Sequence, residues 1–510
     1  MNLKKRENFV QEARPIHEKF QMDAAHPEAA FEETWQEIHK KITRSSFWKD
    51  RLKDHLKDNA ITDYDDYRLV LQQALSGNVS PLNGEKVLNW TLSSGSSGPS
   101  KYFPVTETYK RQVDAQHLCF IYEYLRRFPK FLNEPIHYLS ASGPTEYNAA
   151  GVGVSYISNF NYRNLPLSLR ANFGVPESIF QNESDLARWR PVYMLSQDCS
   201  AIIAGAPAAV ISIFEQIKTN GKEFYDYLVG NLPWPSHLPP LPMTEERKGI
   251  LAASGLAEGK PLFHKIWPGL QFIACWTSGI CSMQAKFLRT FFETEMSVIA
   301  FPFASTEAWM TVCLSNSYSA GAINPRAALV EFSSLDCKIE NKEAQVLLRP
   351  WELEVGKKYE MYITNLMGLV RYRIQDVVEC VGHYKKVAEI AFLRKASQEI
   401  SLAGTTFNES QFIEAIDAVP ELRGVGLFFA PNAQGRGLTL YVASESAIDG
   451  TMTQKVEAQL FKINAVYQDD VKTGFLQSLN AKAVSPKNKI WQIAHSQAKL
   501  YIIRQTAPDL

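Results

Sequence analysis

The chain reads as an α/β protein with a large multi-layer N-terminal part and a small α/β C-terminal part. Three observations predict this. Helix-type and strand-type segments alternate through the middle of the chain, the signature of layered α/β architecture. A Ser/Gly-rich loop, Thr91 to Lys101, lies between two strand-type segments. After Gly382 the composition shifts to short hairpin and helix segments, enough for a second α/β unit. With 510 residues, 45% of them hydrophobic and 21% charged, the chain can bury a large core in two or more domains. The division is set at residues 1–391 and 392–510, joined near Phe392 to Lys395.

Composition narrows the function classes. Lys plus Arg and Asp plus Glu both total 54, so no basic surplus favours nucleic acid or an anionic membrane. No stretch reaches about 18 consecutive apolar residues, and the first residues carry charge with no apolar run behind them, which predicts a cytoplasmic protein. The seven cysteines are scattered and mostly set in apolar runs, as in Phe272 to Trp276, which predicts reduced, packed thiols. Neither a CxxC pair nor HExxH is present, so a zinc site has no sequence support.

In chain order, Phe31, Trp35, Ile38 and Ile42 recur on one helical face and form a packing stripe. Lys86 to Leu92 and Tyr102 to Val105 read as strands around the Ser/Gly loop, and Thr106 is a plausible N-cap for a helix from Glu107 to Phe128. Ile136 to Ser140 and Ala201 to Ala204 are strand candidates. Five prolines between Pro233 and Pro242 block helix and central strand alike and predict an extended surface connection. In the C-terminal part a helix starts near Asn408, a hairpin turns between Pro431 and Gly437, and Val456, Leu460, Ile463 and Tyr467 line a helix.

Three stretches carry chemistry. In the loop, Gly95 and Gly98 let the backbone curl so that successive N–H groups converge, Ser93, Ser94, Ser96, Ser97 and Ser100 add hydroxyls, and Lys101 closes the run with one cation. Such a loop suits a polyphosphate; taken alone it is equally a solvent-exposed turn. It is not the phosphate loop of nucleotide hydrolases, whose Gly-Lys-Ser/Thr opens directly into a helix. Phe301 to Trp309 sets Ser305, Thr306 and Glu307 between aromatics. A carboxylate there must be hydrogen-bonded, paired or bound to a cation, with Mg²⁺ the natural partner if a triphosphate is present and a structural ion pair the alternative. In Tyr362 to Gly382, strand alternation puts Arg371 and Arg373 on one face, and Asp376 just after them can accept hydrogen bonds from a ribose diol. An Asp–Arg salt bridge in a half-buried strand is the alternative.

With these stretches in order, and with Ile61 to Tyr67, Cys275 to Gly279, Val330 to Phe332 and Glu352 to Gly356, the chain resembles the plant auxin-inducible acyl-acid amido synthetases and their bacterial relatives. These form a branch of the acyl-adenylate-forming superfamily. The resemblance implies a large acyl-adenylate-forming domain and a small mobile C-terminal domain that rotates between half-reactions. It places Ser93 to Lys101 on the ATP phosphates and matches Phe303 to Glu307 to the family's Tyr-x-x-Thr-Glu motif, whose Glu faces Mg²⁺ and phosphate. It gives Asp376 the ribose hydroxyls, with Arg394 assisting at the hinge.

Three departures stand out. Phe303 replaces the motif tyrosine, and Gln375 replaces the usual glycine before the aspartate. Where the family has a lysine in the small domain's first loop, Gly404 is followed by Thr405 and Thr406. A second family lysine near the C-terminus is matched in part by Lys499. The predicted activity is an ATP-dependent ligase that adenylates a small carboxylic acid and passes the acyl group to an amine, an amino acid. Lys101, Glu307 and Lys499 are the expected catalytic groups, ATP and Mg²⁺ the cofactors, and a monomer without nucleic-acid or membrane partners the expected state. A thiol acceptor, or a nucleotide-binding but catalytically weak relative, are the alternatives.

Overall fold

The structure is a computed structural model. It describes residues 3–491 apart from 93–100, 140–145, 176–182, 280, 316–319, 336–345, 397–398, 403–404, 424, 433–435 and 475. Its centre is a parallel sheet of four short strands, Ile136–Leu139, Ala201–Ala204, Phe272–Cys275 and Val298–Ala300, in that order. Every residue in these strands is buried, as the uninterrupted apolar runs require of a sheet covered on both faces.

The helix Glu107–Arg127 packs along the neighbouring segments, and its own outer side is covered by the N-terminal helix Leu3–Ala25. The buried His17 Nε2 lies 2.7 Å from Glu123 at that contact. The stripe of Phe31, Trp35, Ile38 and Ile42 is buried on the helix Pro27–Ile42 as its periodicity predicts. The proline-rich residues 233–242 form neither helix nor strand.

Two further sheets flank the centre. Val87–Leu92 and Tyr102–Thr106 pair antiparallel with Leu92 opposite Tyr102, so the Ser/Gly loop closes a hairpin. Thr106 occupies the N-cap position, but its Oγ accepts from Asn83 Nδ2 at 2.9 Å instead of capping the helix. A six-stranded sheet runs Leu329–Ser334, Lys358–Thr364, Tyr372–Tyr384, Val387–Lys395, Ala320–Ile323, Thr311–Val312. All of these belong to one hydrophobic cluster reaching from Phe9 to Ile390.

A second cluster gathers apolar residues from Ile400 to Leu479. It joins a three-stranded sheet, Leu427–Pro431, Gly437–Ala443 and Gln477–Val484, to the helices Glu409–Asp417, Gly450–Ile463 and Ala465–Lys472. Asn408 opens the first of these helices with a capping box. The single helix expected through Tyr467 is two helices, because Asn464 breaks the first and caps the second by accepting from Tyr467 N at 3.1 Å. The six described cysteines are all buried free thiols; Cys337 lies outside the described residues. Among the described residues no helix is long and apolar enough to cross a membrane.

Candidate active site

Two of the three chemistry-bearing stretches, Phe301 to Trp309 and Tyr362 to Gly382, meet at one edge of the parallel sheet. Its strands all run the same way, so their carboxyl ends share an edge, and there the chain continues into Trp276 to Gly279 and Phe301 to Glu307. The carboxyl edge is where open α/β sheets take ligands. Gly279 has φ +55, and a Cβ there would come within 3.2 Å of the Phe392 ring. Phe392 in turn lies 5.7 Å from Phe303, centroid to centroid. These contacts bring the strand end, the Phe303 to Glu307 segment and the Val387–Lys395 strand together.

Glu307 is held by its backbone. Phe303 N donates to Thr311 Oγ1 (2.8 Å), Met310 N to Phe303 O (3.0 Å), and the Ser305 hydroxyl accepts from Glu307 N (3.1 Å) and Ala308 N (3.2 Å). The turn that sets the carboxylate is therefore made by Ser305, whose oxygen is engaged there, with Thr306 largely buried beside it. Glu307 O accepts from the Tyr109 hydroxyl (2.9 Å) and from Asn365 Nδ2 (2.7 Å). Glu307 is only 8% exposed, yet its carboxylate has no hydrogen bond or ion pair among the described residues. A carboxylate left without a protein partner is available to a cation. Among the described residues no three His, Cys, Asp or Glu side chains cluster as a metal site, so a metal here would draw its other ligands from substrate oxygens and water, the usual coordination of Mg²⁺ with a nucleotide.

Asp376 is 2% exposed and stands opposite Lys395 in the antiparallel pair Tyr372–Tyr384 and Val387–Lys395. Lys395 Nζ lies 2.5 Å from Asp376 Oδ1, off the direction of a hydrogen bond, and donates to Ile374 O at 3.4 Å. This corrects the expected surroundings. Arg371 is fully buried on Glu331 and donates to the carbonyls of Lys57 and Asn59, while Arg373 is forked onto Glu360. Neither arginine is the partner of Asp376. Arg394 stands opposite Val377, and its guanidinium donates to Lys395 O at 3.3 Å. Of the two hinge-side cations, Lys395 is the one against the aspartate.

Gln375, at the family's glycine position, has φ +61, a left-handed conformation that glycine adopts without cost. The ladder slips register at Glu360/Tyr362, a bulge of the kind that re-aims side chains beside active sites. Ala396 N donates to Gln375 O (2.8 Å) and holds the bulged residue in place.

Lys101 is half-buried at the exit of the loop, with its ammonium 5.5 Å from the centre of the Tyr64 ring. Residues Ser93, Ser94, Gly95, Ser96, Ser97 and Gly98 lie outside the described residues, as do Gly404 and Lys499; Thr406 pairs with Ser401 in a short hairpin. The residues beyond the motifs that build this edge are Tyr64, Tyr109, Asn365, Phe392 and Lys395. Lys395 had a legible signal, because the turn at Lys385 and Lys386 sets Tyr384 opposite Val387 and, counted back, Asp376 opposite Lys395. Tyr109 and Asn365 act on a backbone carbonyl and leave no motif.

Fold and site define an α/β protein that sets the Glu307 turn at the carboxyl ends of a parallel sheet, with the Asp376–Lys395 strand pair beside it. Residues 16–296 match the GH3 family N-terminal domain and residues 321–395 the GH3 family central domain, and the chain belongs to the GH3 family. Indole-3-acetic acid-amido synthetase GH3.8 of Oryza sativa subsp. indica is 22% identical over 71% of this chain and 64% of its own length. Indole-3-acetic acid-amido synthetase GH3.3 of Arabidopsis thaliana is 26% identical over 32% of this chain and 28% of its own length. The chain thus matches less than two thirds of the length of these curated relatives. The fold is that of GH3.15 acyl acid amido synthetase, with a TM-score of 0.76 at 14% identity over 95% of this chain and 93% of that one.

Proposed function

We propose that this protein activates a small carboxylic acid with ATP and Mg²⁺ as an acyl adenylate and transfers the acyl group to the amine of an amino acid. A carboxylate oxygen attacks the α-phosphorus, the bond to the bridging oxygen breaks, and pyrophosphate leaves. The amine nitrogen then attacks the acyl carbon, AMP leaves with the anhydride oxygen, and the nitrogen loses a proton. The carboxylate, a poor electrophile, becomes an anhydride with a good leaving group.

The observation that carries this reading is Glu307, a nearly buried carboxylate with no partner among the described residues, fixed at the carboxyl edge of the sheet. Glu307 would hold the divalent cation, which when bound neutralises charge on the triphosphate. Lys101 would meet the phosphates, Asp376 with Lys395 beside it the ribose, and Phe303 the base. The chain's contribution is positioning and charge neutralisation more than acid–base chemistry. Membership of the GH3 family and the names of its curated relatives support an amine as acceptor over a thiol. We place the enzyme in the cytoplasm as a monomer and assign the part after Lys395 to a small domain that moves between the two half-reactions.

The test is exchange of labelled pyrophosphate into ATP, screened over carboxylic acids with no amine present. The expected result is acid-dependent exchange. Exchange that requires the amine, or formation of ADP, would rule out the adenylate.

A further inference from the structure

We infer that Tyr64 is a positioning residue for Lys101, acting through the face of its ring. The inference rests on the reading of Lys101 as the phosphate cation. Three contacts carry it. The Lys101 ammonium stands 5.5 Å from the Tyr64 ring centre, within the range of a cation–π contact. The Tyr64 hydroxyl accepts the N–H of Tyr102 at 2.9 Å, so the same side chain holds the first residue after the lysine. Phe103 packs edge-on against Tyr64 at 5.5 Å and 69°, which fixes the plane of the ring.

The ring is also anchored from behind. Tyr64 is the first residue of the helix Tyr64–Ala74, whose N-cap Asp63 forms a capping box with Asp66. The preceding Thr62 joins the strand that carries Asp376: Thr62 N donates to Arg371 O (3.1 Å) and Arg373 N to Thr62 O (2.7 Å). Tyr64 therefore ties the exit of the Ser/Gly hairpin to the Asp376 strand, the two walls that a nucleotide would bridge. A lysine side chain has four rotatable carbons and loses much rotamer freedom when ordered. An aromatic face beneath the ammonium lowers that freedom before the phosphate arrives, which favours the transition state through preorganisation. The hydroxyl acts on the backbone at Tyr102, and the ring face acts on the ammonium.

Two variants separate the ring from the hydroxyl. Tyr64→Leu removes both, and Tyr64→Phe keeps the ring. The expected result is that Tyr64→Leu lowers kcat for acid-dependent pyrophosphate exchange about tenfold, with KM for ATP changed much less, and that Tyr64→Phe restores most of the loss. Equal losses in both variants, or no loss in Tyr64→Leu, would overturn the inference. A second readout needs no activity. With lysines carrying ¹³C-dimethyl labels, the Lys101 signal, assigned by its absence from Lys101→Arg, should show a ring-current shift in the parent and in Tyr64→Phe that is lost in Tyr64→Leu. If no acid supports exchange in the parent, the functional reading falls, and this spectrum alone decides where Tyr64 holds the lysine; a signal at the shift of an exposed lysine in the parent overturns the placement.

Discussion

At the scale of single residues, the contrast between Asp376 and Glu307 organises the site. Both are nearly buried carboxylates, but Asp376 has Lys395 at 2.5 Å while Glu307 has no partner among the described residues. A paired aspartate is already compensated and can keep a lone pair for a ribose hydroxyl, whereas an unpaired glutamate is available to an incoming cation. Asp376→Ala should therefore weaken ATP binding by about 1.5–3 kcal/mol, the worth of a charge-assisted hydrogen bond. Lys395→Ala should weaken it too, by leaving the aspartate without its cation at 2% exposure, and Arg394→Ala should weaken it less, since Arg394 stands opposite Val377. Calorimetric titration with ATP checks all three; normal binding by Asp376→Ala would reduce the pair to a structural salt bridge. The motifs showed in the sequence because glycine, serine and a lone carboxylate between aromatics are unusual in a strand end. Strand alternation near Arg371 pointed to an arginine as the partner of Asp376, but the bulge at the left-handed Gln375 breaks that alternation, and the count back from the turn at Lys385 was the better guide.

At the scale of elements, the helix Glu107–Arg127 links the exit of the Ser/Gly hairpin to the Glu307 strand end. From one face it sends the Tyr109 hydroxyl to Glu307 O, Gln116 to Thr311 O and the Tyr124 hydroxyl to Ala300 O. Its start at Glu107 was legible from Thr106, but this polar face was not, since glutamine and tyrosine in a helix usually signal solvent. His117 lies on the same helix, fully buried, its Nδ1 donating to Val113 O at 2.8 Å and its ring centre 4.1 Å from that of Trp309. Burial lowers its pKa from the ordinary 6.5 to about 4. The sign follows from linkage: between those values the unfolded chain binds a proton that the folded chain refuses, so stability falls as pH drops from about 6.5 to about 4, at up to about 1.4 kcal/mol per pH unit. Above pH 6.5 this group contributes no pH dependence. Thermal melts should show the midpoint falling through that window, and His117→Leu should remove one proton's share of the slope whatever it does to the midpoint at pH 8. An unchanged slope would mean that His117 is not held neutral.

At the scale of the whole molecule, two hydrophobic clusters are joined by the Val387–Lys395 strand and by an ion pair between Lys286 on the helix Cys281–Arg289 and Asp417 of the second unit. The lysine is 48% exposed, and a pair so open to solvent is worth at most about 1 kcal/mol, so it does not lock the units together. The presence of a second, smaller α/β unit was legible, because the composition changes after Gly382 to short hairpin and helix segments. The ion pair between Lys286 and Asp417 was not, since it joins residues far apart in the chain. The decisive question at this scale is which cation meets the charge that builds on the α-phosphate. Thr406 offers a neutral hydroxyl where the resembled family has a lysine, and Lys395 is already committed to Asp376. Lys499, outside the described residues, is the remaining candidate on the C-terminal side. A flexible ammonium brought up as water leaves is worth about 3–4 kcal/mol, or about 10²–10³ in rate. Lys499→Ala should therefore cost about that factor in pyrophosphate release with ATP binding intact, whereas Lys395→Ala should act on ATP binding first. Thr406→Lys should add little while Lys499 is present and should restore part of the loss in Lys499→Ala. If Lys499→Ala adenylates at the parent rate while Thr406→Lys alone accelerates the reaction, Lys499 has no such role and the parent is a catalyst weakened at position 406.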